Sequence, residues 1–264
     1  MKPLAAISSQ ALAGLKGVFT DIDDTLTSDG SLSAAAYGAL ERLHDKGLLV
    51  FPVTGRPAGW CDHIARMWPV DGVVGENGAF YFRYHRESRS VERHFCYSAA
   101  ERAERRGRLE ALGKGILKAV PGAALAADQA WRESDLAIDF CEDVAPLLPE
   151  SVSRIVELFT QAGATAKVSS IHVNGWFGSY DKLSMTRTMM AQSFGLDLDE
   201  HKERFVFAGD SPNDAPMFAF FPLSVGMANL LDFSGRLEAE PAFITARRAG
   251  EGFVELADRL LAER

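Results

Sequence analysis

Two apolar runs, Leu48-Leu49-Val50-Phe51-Pro52-Val53 and, after Arg204, Phe205-Val206-Phe207-Ala208, limit the fold more than any other feature of the sequence. A strand with one wet face alternates apolar and polar residues, whereas a strand apolar throughout is covered on both faces, the setting of a parallel sheet between helices. A helical pattern precedes each run. Ser31 or Ser33 can cap a helix reaching Lys46, with Tyr37, Leu40 and Leu43 on one face and Gly47 at its end; Lys182 to Phe194 reads as a second helix stopped by Gly195. The lead-in Leu15-Lys16-Gly17-Val18-Phe19-Thr20 and the short segments Gly72–Gly75, Leu223–Val225 and Ala242–Ile244 supply further strands. The pattern is α/β, a Rossmann-like parallel sheet core.

From about Arg83 the strand–helix rhythm is lost until about Tyr180. In between stand a charged helix near Ala99 to Val120, a strand at Leu136–Phe140, a helix near Pro149 to Ala162 and an extended stretch from Ala166 to Phe177. This reads as an inserted α+β domain, residues 85–180, within a discontinuous core made of residues 1–84 and 181–264. With 264 residues and 47% hydrophobic content the chain can bury a substantial core, and its net charge of −8 with no basic block argues against a nucleic-acid partner. Cys61, Cys96 and Cys141 are odd in number and widely spaced, which suits a reducing cytoplasm better than a disulfide framework or a zinc site. No apolar stretch is long enough to span a membrane, residues 1–14 make a poor signal peptide, and no protein partner is implied.

The first strand delivers the chain into Asp21-Ile22-Asp23-Asp24-Thr25, three carboxylates within four residues. Carboxylates this crowded ionise together only at a cost, so one keeps its proton or a cation offsets the repulsion. In extended backbone Asp21 and Asp23 project to the same side while Ile22 turns to the core, so one acid could attack a substrate while the other moves protons. A solvated acidic turn is the plain alternative. A calcium loop is not, because Leu26 and Leu32 stand where its turn glycine and its bidentate glutamate belong. Thr54, Lys182, Asp210 and Asp214 also fall at strand ends or helix starts, and open parallel sheets gather their sites along that edge.

These segments, taken in order, resemble the motifs of the haloacid dehalogenase superfamily: Asp21-Ile22-Asp23-Asp24-Thr25, then Thr54-Gly55-Arg56, then Lys182, then Gly209-Asp210-Ser211-Pro212-Asn213-Asp214. The position of the insertion, preceded by Glu76-Asn77-Gly78-Ala79, is similar to subfamily IIB, whose C2-type cap occurs in sugar-phosphate phosphatases and in phosphomannomutase. The resemblance implies a Mg²⁺-dependent phosphatase acting on a phosphomonoester of a small metabolite, foremost a sugar phosphate. Asp21 would be the nucleophile that forms an aspartyl phosphate, and Asp23 the acid and base. Mg²⁺ would be held by Asp21, the Asp23 carbonyl and Asp210, with Asp214 behind them. Thr54 and Lys182 would act on the phosphoryl group, and Gly55, Arg56 and Asn213 would contact substrate. Asp24 stands where many relatives have Gly and is expected to shape the turn.

Specificity is expected in the cap. Trp131-Arg132-Glu133 and the stretch Ser169 to Gly178 could form a sugar platform, an aromatic face under the ring with His172 and Asn174 reading hydroxyls; a half-buried strand with a polar outer face is the alternative. Trp60, Trp68 and the methionines are expected in the core. A phosphosugar mutase of the phosphomannomutase type and a non-catalytic sugar-phosphate-binding protein remain the competing functions. A dehalogenase is disfavoured by the acid at Asp23.

Overall fold

The computed structural model describes residues 1–262. The chain runs through β1 (Lys2–Pro3), α1 (Ser9–Ala13), β2 (Gly17–Thr20), α2 (Ala34–Asp45), β3 (Leu49–Pro52), α3 (Ala58–Met67), β4 (Val73–Gly75), β5 (Phe80–His85) and β6 (Ser90–Phe95). There follow α4 (Ala99–Ala119), β7 (Ala124–Leu125), β8 (Leu136–Asp139), α5 (Pro149–Gln161), β9 (Thr165–Val168) and β10 (His172–Trp176). The last third carries α6 (Lys182–Phe194), α7 (Leu198–His201), β11 (Phe205–Gly209), α8 (Ala215–Phe220), β12 (Leu223–Gly226), β13 (Phe243–Ile244) and α9 (Ala249–Leu261).

A six-stranded sheet in the order β1-β13-β12-β11-β2-β3, parallel throughout, forms the centre. Its apolar runs are buried on both faces because alternate residues serve different layers. Val18, Val50 and Val206 pack with Leu40, Leu43, Leu256 and Leu260, from α2 and α9. Phe19, Phe51 and Phe207 pack on the other face with Met185, Met189 and Phe218, from α6 and α8. The Phe19 and Phe51 rings stack at 5.0 Å, which fixes β2 beside β3 through side chains as well as through the ladder.

The four-stranded antiparallel sheet β7-β8-β10-β9 covers one of its faces with α4 and α5, around Ile116, Ile138, Ile155, Phe159 and Val173. It lies wholly within residues 85–180, the segment we propose as the cap. The first proposed boundary falls inside β5, because β6 pairs with β5 along its whole length. β4, the third strand of that small sheet, joins the edge of the central sheet through a parallel bridge from Val53 to Val74.

Helix starts and stops follow local chemistry. Ser33 Oγ accepts the Ala36 N–H at the head of α2, and Gly195, at φ 60°, ends α6. Ala228–Phe233 is a 3₁₀ stretch, and α9 closes the described chain from Ala249 to Leu261. Trp60 is not a core residue: it is 41% exposed, since α3 buries Ala58, Cys61, Ile64 and Ala65 and Trp60 lies off that stripe. Among the described residues no helix is long and apolar enough to cross a membrane.

Candidate active site

β2 ends with Thr20 paired to Pro52 of β3 and Ala208 of β11. Asp21, Thr54 and Asp210 therefore leave the sheet side by side, and the Asp21 N–H donates to the Ala208 carbonyl at 2.9 Å. The acidic segment then closes on itself, with the N–H groups of Thr25, Leu26 and Thr27 converging on the Ile22 carbonyl. Ile22 is buried in the core, which leaves the acids on either side of it at the sheet edge.

Beneath that edge lies a buried charge cluster. Lys182 Nζ, 1% exposed, sits 2.9 Å from Asp21 Oδ2 and 2.7 Å from Asp214 Oδ1. Burial opposes its charge, but the two carboxylates more than compensate and raise its pKa above the ordinary lysine value. Asp214 is fully engaged, because its second oxygen accepts the Asp210 and Ser211 N–H groups at 3.0 and 3.4 Å. Asp210 is fixed by Thr25 Oγ1 and Asn229 Nδ2, each at 3.1 Å. Carboxylate oxygens of Asp21, Asp210 and Asp214 lie within 4.8 Å of one another. Burial pushes Asp21 up to about 7 against the pull of Lys182, and burial together with Asp21 and Asp214 pushes Asp210 well above the carboxylate range.

Three buried carboxylates and one ammonium carry two net negative charges when all are ionised. A divalent cation would correct that imbalance, and an all-oxygen donor set suits a hard ion such as Mg²⁺. Asp21 and Asp210 offer the oxygens for it, while Asp214 holds Lys182 and the loop.

Asp23 faces a guanidinium. Arg56 Nε lies 3.0 Å from both its oxygens and Nη2 lies 2.7 Å from Oδ1. The same guanidinium reaches Glu142 Oε1 at 2.6 Å and Asp128 Oδ2 at 3.4 Å, and rests 4.4 Å over the exposed Trp60 ring. Thr54, fully buried, accepts the Arg56 N–H on Oγ1 at 3.0 Å, which sets the turn that aims Arg56 at Asp23. Asp21, Asp23, Gly55, Arg56, His172, Asn174 and Asn213 all line one small cavity of about 10 Å³, room for about one water. Residues of the core and of the inserted segment thus meet at a single point.

On the cap side β10 is buried at every position and presents His172 and Asn174 toward the core, while Val173 fills the cap interior. Both the half-buried strand and the aromatic platform are corrected by this arrangement. Trp176 is 1% exposed and stacked on Tyr180, and Trp131 stands 57% exposed next to Gly59, outside the cavity. Arg132 is a strut, bonded to Asp128, Asp135 and the Gly55 carbonyl. Asn174 donates to Asp135 at 2.8 Å, and His172 Nε2 lies 2.9 Å from Glu142 Oε2.

Several residues at the site escape sequence reasoning. Asn229 follows β12 as Asp210 follows β11, so its place beyond a strand end is a usable signal. Asn77 accepts from Asn213 Nδ2 at 3.1 Å, and only its left-handed φ of 54° in the Glu76-Asn77-Gly78 turn hints at a special position. Glu142 carries no sequence signal at all, because tertiary approach alone brings it to Arg56.

A family model described as haloacid dehalogenase-like hydrolase matches residues 18–102, which contain the acidic turn and Thr54-Gly55-Arg56. No curated protein matches the chain. Among solved structures, a protein from Thermoplasma acidophilum is 20% identical, with a TM-score of 0.69 over 93% of this chain and 98% of its own. The sucrose-phosphatase of Synechocystis, solved with sucrose and phosphate, is 16% identical with a TM-score of 0.64 over 93% and 98%. A subclass IIB sugar phosphatase of the haloacid dehalogenase superfamily is 16% identical with a TM-score of 0.61 over 94% and 100%. At such identities these structures speak for the fold, which they share from end to end, and the family model speaks for the segment bearing the acidic turn. Residues 18–102 thus match a haloacid dehalogenase-like hydrolase family, and the chain shares the fold of these solved structures.

Proposed function

We propose that this protein is a Mg²⁺-dependent phosphatase that hydrolyses a phosphomonoester of a small metabolite, foremost a sugar phosphate, through an aspartyl phosphate on Asp21. The observation that carries the reading is the separation of roles between two neighbouring acids. Asp21 is bound to an ammonium in a buried, cation-deficient cluster, and Asp23 is held by a guanidinium at the boundary with the cap.

Asp21 attacks phosphorus while Lys182 reduces the repulsion between two anions that must approach. Asp23 protonates the departing alkoxide and then takes a proton from the hydrolytic water, with Arg56 fixing its orientation. Thr54, Gly55 and Asn213 bind the phosphoryl oxygens from the adjoining strand ends, and Asp214 keeps Lys182 in place. Bound Mg²⁺ would supply charge neutralisation at the phosphoryl group through Asp21, the Asp23 carbonyl and Asp210. The cap excludes water, and a cavity of about 10 Å³ requires it to move for a phosphoryl group to enter.

Purified protein with Mg²⁺ and a panel of phosphorylated metabolites tests the reading by release of free phosphate. Interconversion of phosphosugar isomers with little phosphate released would favour a mutase, and binding without turnover a sensor.

A further inference from the structure

The side of the site that receives the leaving group is marked by Asp23, the acid that protonates the departing oxygen in the reading above, on which this inference rests. A second cavity, of about 390 Å³, opens against Asp23 and does not reach Asp21. Asp24, Asp29 and Glu142 line it together with Arg56, Cys141 and Ser170. Arg56 is the single cation of that lining, and its guanidinium already faces three carboxylates, those of Asp23, Glu142 and Asp128. The adjoining cavity, of about 490 Å³, repeats the pattern, since Asp24, Asp29, Asp232 and Glu251 share it with one cation, Arg248, which is paired to Asp232.

Glu142 is placed there by a dedicated turn. Asp139, at the end of β8, accepts the N–H groups of Cys141, Glu142 and Asp143 at 2.9, 2.8 and 2.9 Å, which pins the loop that carries Glu142 across to the core. Arg56 and His172 hold its two oxygens from either side. Burial works against its ionisation, but close contact with His172 and the hydrogen bonds from Arg56 outweigh burial and bring the carboxyl down to about 2. A fixed negative charge therefore stands where the leaving group must sit.

We propose that Glu142 is a specificity-determining residue that selects the charge of the leaving group, so that phosphomonoesters of neutral or ammonium-bearing polyols are accepted and those bearing a carboxylate or a second phosphate are rejected. A carboxylate accepts hydrogen bonds from hydroxyl and ammonium groups, and it repels another anion where no unpaired cation is at hand.

Three probes of nearly equal size, glucosamine 6-phosphate, glucose 6-phosphate and gluconate 6-phosphate, test this with Mg²⁺. The ratio of kcat/KM is read directly, or as competitive inhibition of p-nitrophenyl phosphate hydrolysis where turnover is slow. The wild type should disfavour gluconate 6-phosphate against glucose 6-phosphate by about tenfold or more, with glucosamine 6-phosphate at least equal to glucose 6-phosphate. Glu142→Gln should narrow the gluconate-to-glucose gap by about fivefold, and the ratio within one variant is insensitive to any general loss of active protein. Equal use of the anionic and neutral probes by the wild type, or an unchanged ratio in Glu142→Gln, overturns the proposal and leaves the phosphatase reading standing. Absence of phosphate release from all three probes and from p-nitrophenyl phosphate overturns both.

Discussion

Asp24 adopts φ 53°, in the left-handed region where Gly is unstrained and Asp is among the better-tolerated residues with a Cβ. This explains how the acidic turn keeps its shape with Asp at this position. Asp24→Gly should therefore change stability by no more than about 1 kcal/mol and preserve turnover, while Asp24→Val should cost about 1–3 kcal/mol, both read from denaturant midpoints. Glu142 gives a pH signature. Its carboxyl is held at about 2 against an ordinary 4.5, so the unfolded chain binds more protons between those values and stability rises with pH across that window. The contribution is complete above about 4.5 and is lost as pH falls toward 2. Melting curves should show the wild type losing stability faster than Glu142→Gln as pH is lowered from 5 to 3.

Among the elements, α6 owes its place to the turn before the cap. A Cβ on Gly78, at φ 105°, would lie 2.0 Å from the carbonyl oxygen of Asp181, the residue that caps α6 and precedes Lys182. Gly78→Ala should cost about 2–3 kcal/mol and reduce kcat more than tenfold by displacing Lys182. Gly195→Ala, at the other end of the same helix where nothing lies within 4 Å of the added carbon, should cost about 1 kcal/mol and leave kcat intact. Denaturation and turnover of the two variants check the contrast. The central strands and α6 were legible in the sequence because burial on two faces and a terminal glycine leave local marks. So were the acids, Thr54 and Lys182, which sit where strands end and helices begin. β1 was not, since two exposed residues paired to β13 carry no pattern. Trp60 and Trp176 misled for a related reason: residue type does not reveal which way a helix or strand will turn the ring. Glu142 reaches the site through the approach of one sheet to another, which no local pattern records.

At the scale of the whole molecule, the core supplies a buried anionic cluster and the inserted segment closes over it. The excess of carboxylates around Lys182 works against the metal-free fold, and a divalent ion bound there stabilises it by mass action. Mg²⁺ at a hundred times its dissociation constant should add about 2.7 kcal/mol, seen as a rise in Tm that Asp210→Asn abolishes. The central claim, that Asp21 accepts the phosphoryl group, is tested most directly by free-phosphate release from a sugar phosphate with Mg²⁺, comparing the wild type with Asp21→Asn. The expected result is Mg²⁺-dependent turnover in the wild type and a loss of at least about a thousandfold in Asp21→Asn, with an unchanged circular dichroism spectrum. Comparable Mg²⁺-dependent turnover by Asp21→Asn would contradict it.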